Sequence, residues 1–275
     1  MLGVSTSFAK GKLPKTIHFY FPDLKAELTK YPISLSFEYD ASNHLVKLVD
    51  SVYHKGTYRV TEYAFDYEDG RVLSITEIQV GNRYRIGKLI YRNDVFFDSG
   101  DSNEFDFVDE VIEIEYFENG VEYTGKVLLY LDAKKRPVRG ERYDSLNQKL
   151  DVEVVWRYDS KGNVVLQEER SYIVLKEVTY LTSVLRRMLE YGDKNGIFKD
   201  VVSEPWFWFL FSKNGAMWLY GNNVTRIVTY KAEYGGNTDP IKLDRGVNAT
   251  FDVDGFPVTQ QDVLSSSIYL RIEYY

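Results

Sequence analysis

The chain has 275 residues, of which 27% are charged, and a net charge of −7 with acids and bases interspersed. An acidic chain without a basic stripe argues against a nucleic-acid partner. The chain contains no cysteine, which excludes disulfides, thiolate metal sites and cysteine nucleophiles. Aromatic residues make up 16% of the chain, mostly tyrosine and phenylalanine, and these residue types fit a pleated sheet.

Residues 1–16 are polar and irregular, so we predict a lead-in over 1–16 and a single all-β domain over 17–275. No run approaches the roughly 18 consecutive apolar residues of a membrane-spanning helix. The first eight residues lack the charged flank and apolar run of a signal peptide. Two interpretations stay open: a cytoplasmic protein, or an exported chain that begins downstream of a removed signal.

A strand–turn–strand pattern recurs along the chain, and its clearest copy is 156–165, WRYDSKGNVV. Apolar and polar residues alternate before the turn, as in a half-buried strand. Asp159 can accept backbone N–H groups, and Gly162 can adopt positive φ without a Cβ penalty. Further copies lie at 37–45, 65–73, 115–121, 130–138, 190–196 and 251–258, and in the 130–138 copy Leu131 replaces the tyrosine.

Several of these turns are spaced by roughly 30 residues, which is enough for two strands and two turns. The spacing predicts an antiparallel up-and-down meander of about a dozen strands, curled into a barrel or a flattened closed sheet. Closure would also remove the exposed edges of so long a sheet. Residues 176–191 match both a helical stripe and a strand face, and we favour a strand because the segment runs into a repeat-type turn.

Residues 203–215 differ from the β pattern. Ser203 can cap a helix, Glu204 and Pro205 suit its first turn, and Gly215 suits its end. The run between them is apolar on every side, so a helix here must be buried nearly all round, as a plug or cap of the sheet. The alternative is a ligand platform, in which the tryptophans Trp206, Trp208 and Trp218 bind ligand.

The recurring turns resemble the YD repeats of Rhs-type β proteins. The C-terminal third is similar to a family of Bacteroidales lipoproteins of unknown function that is described as having a porin-like β fold. The motifs that carry this similarity follow one another in the family's order: 190–199, the aromatic segment, 222–225, 252–259 and a short final strand. The resemblance implies export, a lipid anchor on a cysteine upstream of this chain, a cell-envelope location (periplasm or cell surface) and no known catalytic residues.

The sequence offers only weak candidates for a catalytic or metal-binding site. The three histidines show no metal-ligand spacing, and the aspartates at 252 and 254 lack the further ligands of a calcium loop. Carboxylate pairs such as Glu113 with Glu115, or Glu168 with Glu169, could serve a glycosidase, but any acidic β protein offers such pairs. We therefore expect no cofactor and no metal.

The pattern of the last strand bears on whether the barrel would insert into a membrane. Leu270, Ile272 and Tyr274 share one face, whereas Tyr275 shares the other with charged residues, unlike the usual terminal strand of a membrane barrel. We expect no transmembrane insertion. The leading hypothesis is a non-catalytic binding or structural lipoprotein of the envelope, with a glycan or another envelope protein as partner. The alternative is a carbohydrate-active enzyme or glycan-binding accessory protein.

Overall fold

The computed structural model describes residues 12–20, 33–54, 57–79, 83–92, 108–118, 122–144, 149–175, 178–201, 206, 222–234, 240–262 and 269–275. Sixteen antiparallel strands form a closed barrel in which each strand pairs with its sequence neighbours and β16 pairs with β1. The described residues contain no α-helix, and so none that is long and apolar enough to cross a bilayer.

The strands in chain order are β1 (Pro14–Tyr20), β2 (Ile33–Tyr39), β3 (Leu45–His54), β4 (Thr57–Glu68), β5 (Arg71–Gln79), β6 (Arg83–Arg92), β7 (Glu110–Glu118), β8 (Glu122–Leu131), β9 (Pro137–Asp144), β10 (Leu150–Tyr158), β11 (Val164–Leu175), β12 (Val178–Asn195), β13 (Asn222–Glu233), β14 (Ile241–Phe251), β15 (Pro257–Asp262) and β16 (Tyr269–Tyr274).

The predicted all-β antiparallel meander is confirmed, and of its two predicted forms the closed barrel is the one observed. The barrel has sixteen strands rather than about a dozen. The ambiguous segment 176–191 is a strand, as predicted, and forms part of β12. Strand β1 begins at Pro14, inside the predicted lead-in, and Leu13 before it is already buried.

The pairing register shows which side chains share a face. Ile112 and Ile114 of β7 lie opposite Leu129 and Val127 of β8, and both isoleucines are fully buried. Their neighbour Glu113 belongs to the other face, because successive side chains of a strand point to opposite sides. Following the register from strand to strand places most of the buried apolar cluster on one face, which is therefore the inner face of the barrel.

Four turns at one end of the barrel, the turn end, share one hydrogen-bond pattern. They begin at Asp40, Asp132, Asp159 and Asp252. In the turn that begins at Asp159, Oδ1 accepts the N–H groups of Lys161 and Asn163 at 2.9 Å, and Gly162 donates to the Asp159 carbonyl at 3.1 Å. The residue three places after each aspartate has positive φ: Asn43, Lys135, Gly162 and Gly255. The predicted positive φ of Gly162 is confirmed at 89°.

On six strands a tyrosine near the turn end donates a hydrogen bond to the backbone of the preceding strand and so ties neighbouring hairpins together. The hydroxyl of Tyr67 on β4 donates to the carbonyl of Leu45, the first residue of β3, at 2.8 Å. The same kind of bond runs from Tyr39 to Pro14, Tyr91 to Val72, Tyr158 to Pro137, Tyr191 to Val164 and Tyr274 to Pro257. The tyrosine and the aspartate of the repeat thus serve different bonds, one between hairpins and one within the turn.

One predicted turn is corrected by the structure. The copy at 115–121 does fall between two strands, β7 and β8, at the end of the barrel opposite the turn end. The segment 190–196 is not a repeat-type turn, since β12 continues to Asn195. The side chain of Asn223 explains the extended backbone there. It accepts the N–H of Lys194 at 3.1 Å and leaves no room for a Cβ at Gly192.

The inside of the barrel at the turn end is filled with apolar side chains. Ile197, Phe198 and Trp206 are fully buried. Phe198 packs edge-on against Phe37 at 5.4 Å, and Trp206 packs against Tyr91 at 6.5 Å between ring centroids. The helix predicted over 203–215 falls outside the described residues apart from Trp206, as do Trp208 and Trp218.

Candidate ligand-binding cavity

Three glycines, one each on β6, β8 and β9, bring no side chain of their own to the inner face of the barrel. Gly87, Gly125 and Gly140 all occupy inward positions, because they pair with or alternate in step with the buried residues of β7 and β8. A cavity of about 470 Å³ lies against this part of the wall. That volume falls within the range of small-molecule sites in proteins.

Two aromatic rings pack against two of these glycines. A Cβ built on Gly140 would lie 2.9 Å from the Trp156 ring, and a Cβ built on Gly87 would lie 2.9 Å from the Tyr116 ring. Each ring therefore lies close to the backbone of a neighbouring strand. Both rings line the cavity.

The cavity has an apolar part and a polar part. The apolar part is formed by Val127, Leu129, Val152, Val154 and Trp156. The polar part is formed by Arg85, Thr124, Lys126, Glu141, Arg142, Tyr143, Glu169 and Ser171. The two arginines expose 44% and 45% of their side chains, so the polar part faces solvent. The cavity can accordingly hold a molecule with one apolar and one polar end.

Arg85 is held by an ion pair and by a ring. Its Nη2 and Nε lie 2.5 and 3.1 Å from Oε2 of Glu77, and its Cζ lies 4.4 Å from the centroid of the Tyr116 ring. Burial raises the pKa of Tyr116 to about 12, so its hydroxyl is protonated at neutral pH. Arg85 is thus fixed on one side and exposed on the other.

Arg142 is held in a similar way on β9. Its Nε and Nη2 lie 2.8 and 2.5 Å from Oδ2 of Asp151. On the next strands, Arg187 donates from Nη1 to Oε1 of Gln167 at 3.1 Å and lies 4.0 Å from Glu169. Positive and negative groups therefore lie side by side on the strands that border the cavity.

The outer face of the same strands carries a network of ion pairs that extends from β6 to β12. Glu113 binds Arg92 and Lys126, Arg139 binds Glu141 and Glu153, Arg170 binds Glu153 and Glu168, and Arg186 binds Glu168. Burial acts to raise the pKa of Glu168, but the hydrogen bonds from Arg186 and Arg170 outweigh it and hold that pKa below its usual value. The middle of the outer wall is therefore charged.

The carboxylate pairs considered for hydrolysis fall in different places. Glu113 and Glu115 lie on the outer face, where Glu113 is buried between two cations. Glu168 is on the outer face and Glu169 on the inner face, because they are consecutive in β11. Only Glu169 lines the cavity, so the structure does not bring the members of this pair together.

The other residues singled out from the sequence have structural partners. Nζ of Lys12 lies 2.5 Å from Asp252 and 3.1 Å from Asp254, so an ammonium group occupies the place between these carboxylates. His44 lies 2.9 Å from Asp40. Within the described ranges, no group of three or more His, Asp or Glu side chains is placed to hold a metal ion.

Of the three tryptophans predicted to bind ligand, the structure places only Trp206, and its side chain is fully buried in the apolar cluster. A binding role for Trp206, Trp208 and Trp218 stays a prediction. Apart from Glu169, the residues that line the cavity were not predicted from the sequence to form a site. The available signal was the isolated glycine in each of β6, β8 and β9, since a glycine within a strand often marks close approach of another group.

Comparison with known proteins supports the fold. No protein-family model matches the chain, and no curated protein matches it. Among solved structures, a porin-like protein from Bacteroides uniformis is similar with a TM-score of 0.51 and 7% identity, over 95% of this chain and 98% of that chain. A porin-like protein from Bacteroides vulgatus has a TM-score of 0.45 and 11% identity, over 96% and 99% of the two chains. The chain shares a porin-like barrel fold with the B. uniformis protein, and at this identity the likeness concerns the fold alone.

Proposed function

We propose that this protein is a non-catalytic binding protein of the bacterial cell envelope that holds a small ligand inside its barrel. The observation that carries the proposal is the cavity between β6 and β11, which has an apolar part near Trp156 and a solvent-facing polar part with Arg85 and Arg142. Apolar lining with a few placed polar groups is the usual make-up of a small-molecule site.

The envelope location is supported by two likenesses. One is the porin-like fold of the Bacteroides uniformis protein. The other is the similarity of the C-terminal motifs to Bacteroidales lipoproteins, which also suggests attachment through an upstream lipid anchor. Binding without catalysis is favoured because the carboxylates of Glu113 and Glu168 are each held between two cations on the outer face.

We also propose that the barrel wall is not inserted in a membrane. Charged side chains on the lipid face of a barrel cost about 2–4 kcal/mol each for Arg or Lys at mid-bilayer. The outer ion-pair network would place several such groups there. The purified protein should therefore stay in the aqueous phase during detergent phase separation. Quantitative transfer to the detergent phase, or insertion into liposomes, would overturn this part of the proposal.

The alternative function is a carbohydrate-active enzyme or a glycan-binding accessory protein. Calorimetric titration with a panel of oligosaccharides and small organic acids, combined with an assay for new reducing ends, separates the two classes. We expect binding of at least one ligand without release of reducing ends. Continuous release of reducing ends would favour the enzyme.

A cavity-filling variant tests whether the ligand binds inside the barrel. Ser171 lines the cavity, and Ser171→Phe should abolish binding because the ring occupies the ligand's space. Asn248→Phe is the matched control, since Asn248 is exposed on the outer face of β14. Equal loss of binding in both variants, or in neither, would contradict a ligand site inside the barrel.

A further inference from the structure

We infer that the ligand is an amphiphilic anion, a carboxylate attached to a compact apolar body. This inference rests on the proposed binding function and names the chemical class that the cavity selects. The cavity combines two half-exposed guanidinium groups with a wall of branched aliphatic side chains and one indole ring.

The anionic end follows from how the two arginines are held. Arg85 and Arg142 each bind a wall carboxylate through Nε and Nη2. A guanidinium group has five N–H donors in a planar fork, so the Nη1 side of each group can still donate. Fixing one edge of an arginine reduces the entropy lost when the other edge binds, and carboxylates match this planar donor geometry.

The apolar part of the cavity indicates that the rest of the ligand is apolar. Val127, Leu129, Val152 and Val154 offer no hydrogen-bond partner from their side chains. A multiply hydroxylated sugar pressed against them would lose hydrogen bonds to water without replacement, which is costly. A hydrocarbon group there would gain free energy in proportion to the apolar area removed from water.

The two acidic residues that line the cavity, Glu141 and Glu169, do not reverse this preference. Glu141 is paired with Arg139 on the outer face. Glu169 lies 4.0 Å from Nη1 of Arg187 and exposes 34% of its side chain. Its charge is partly offset by that arginine. The wall carboxylates Glu77 and Asp151 are likewise engaged by Arg85 and Arg142. The groups that remain able to donate to a ligand are therefore mainly cationic.

The volume of the cavity limits the apolar part of the ligand to a compact shape. About 470 Å³ is in the lower half of the range of ligand pockets, roughly 300–1,000 Å³. A cage or fused-ring hydrocarbon fits this space better than a long extended chain. Adamantane-1-carboxylate combines such a body with a carboxylate and serves as the probe.

The test is calorimetric titration of the full chain with three molecules. These are adamantane-1-carboxylate, its neutral counterpart adamantane-1-methanol, and a galacturonate disaccharide that carries carboxylates on a hydroxylated body. We expect adamantane-1-carboxylate to bind at least tenfold more tightly than either of the others. Arg142→Met should reduce this binding about tenfold and leave adamantane-1-methanol unchanged.

Arg142 is chosen because its partner Asp151 is partly exposed, whereas removal of Arg85 would leave the buried Glu77 without its cation. Arg226→Gln is the matched control, since Arg226 forms exposed ion pairs on the outer face. Equal affinity for the acid and the alcohol, an unchanged affinity in Arg142→Met, or tighter binding of the galacturonate overturns the inference. If only oligosaccharides bind and Ser171→Phe abolishes that binding, the inference fails while the proposed binding function stands.

Discussion

The indole ring of Trp156 on β10 packs against the backbone of Gly140 on β9. A Cβ at position 140 would lie 2.9 Å from Cη2 and 3.1 Å from Cζ3 of that ring. The side chain of Leu129 on β8 closes the same spot, with Cδ2 at 3.3 Å. Position 140 therefore holds a glycine because the space of a side chain is taken by an aromatic residue of the next strand.

Gly140→Ala is expected to destabilise the barrel by about 1–3 kcal/mol, the usual cost of overpacking a well-filled site. The free energy of unfolding, measured by urea denaturation, checks this. The same substitution in a Trp156→Leu background should cost clearly less, because the two residues are in contact and their effects do not add. An equal cost in both backgrounds would show that the ring does not fill the space above Gly140.

Gly162→Val should destabilise the protein by about 1–2 kcal/mol or more, because a β-branched residue is strained at a φ of 89°. Asn43 is the matched control. It occupies the equivalent turn position with a φ of 68°, and asparagine tolerates this region well. Asn43→Gly should therefore change the free energy of unfolding by less than about 0.5 kcal/mol. Thermal or urea melts in which the two variants behave alike would contradict the assigned role of the turn.

The turns were predictable from the sequence because their chemistry is local. Asp159 and Gly162 are three residues apart, and the bonds of the turn join only residues of that segment. The cavity was not predictable in the same way. Gly140 and Trp156 meet only because β9 and β10 pair in one register, and their neighbour Leu129 comes from a third strand. The segment around Tyr191 combines local and long-range effects. Its sequence resembles that of a turn, but Asn223 from β13 holds the backbone extended.

Tyr67→Phe tests the bond between neighbouring hairpins. Burial raises the pKa of Tyr67, so its hydroxyl is a neutral donor to the Leu45 carbonyl at ordinary pH. Removing one neutral hydrogen bond of this kind should cost about 0.5–1.5 kcal/mol. Tyr234→Phe is the control, because Tyr234 is exposed and its change should fall within about 0.5 kcal/mol. Equal urea midpoints for Tyr67→Phe and the parent would mean that the tyrosine contributes packing alone.

Glu110 should make the barrel sensitive to acid. Burial acts to raise the pKa of this carboxyl, but the two bonds from Arg71, at 2.9 and 2.8 Å, and the ammonium of Lys135 at 3.2 Å outweigh it and lower that pKa. A carboxyl whose pKa is lower in the folded state stabilises the protein above its unfolded pKa, about 4.3. That stabilisation is lost as the pH falls through the folded value.

Glu110→Gln should therefore be less stable than the parent at pH 7, and the difference should shrink as the pH falls below about 4. Urea denaturation at a series of pH values measures it. Glu122→Gln, at an exposed position of β8, is the control and should follow the parent throughout. A constant difference between Glu110→Gln and the parent from pH 7 to pH 3 would rule out the ion pairs as its cause.

Trp206 decides between the two interpretations of the aromatic segment. Its side chain is fully buried and packs against Tyr91, and its neighbours in the cluster include Phe198. If the segment is a plug, Trp206→Ala should cost about 3–5 kcal/mol, the usual cost of emptying a buried aromatic site. If it is a ligand platform, stability should stay within about 0.5 kcal/mol of the parent while binding is lost. Urea denaturation of Trp206→Ala, with Trp208→Ala and Trp218→Ala beside it, makes the distinction by magnitude. We expect a large loss for Trp206→Ala, and a parent-like melt combined with weaker ligand binding would instead move the site to these tryptophans.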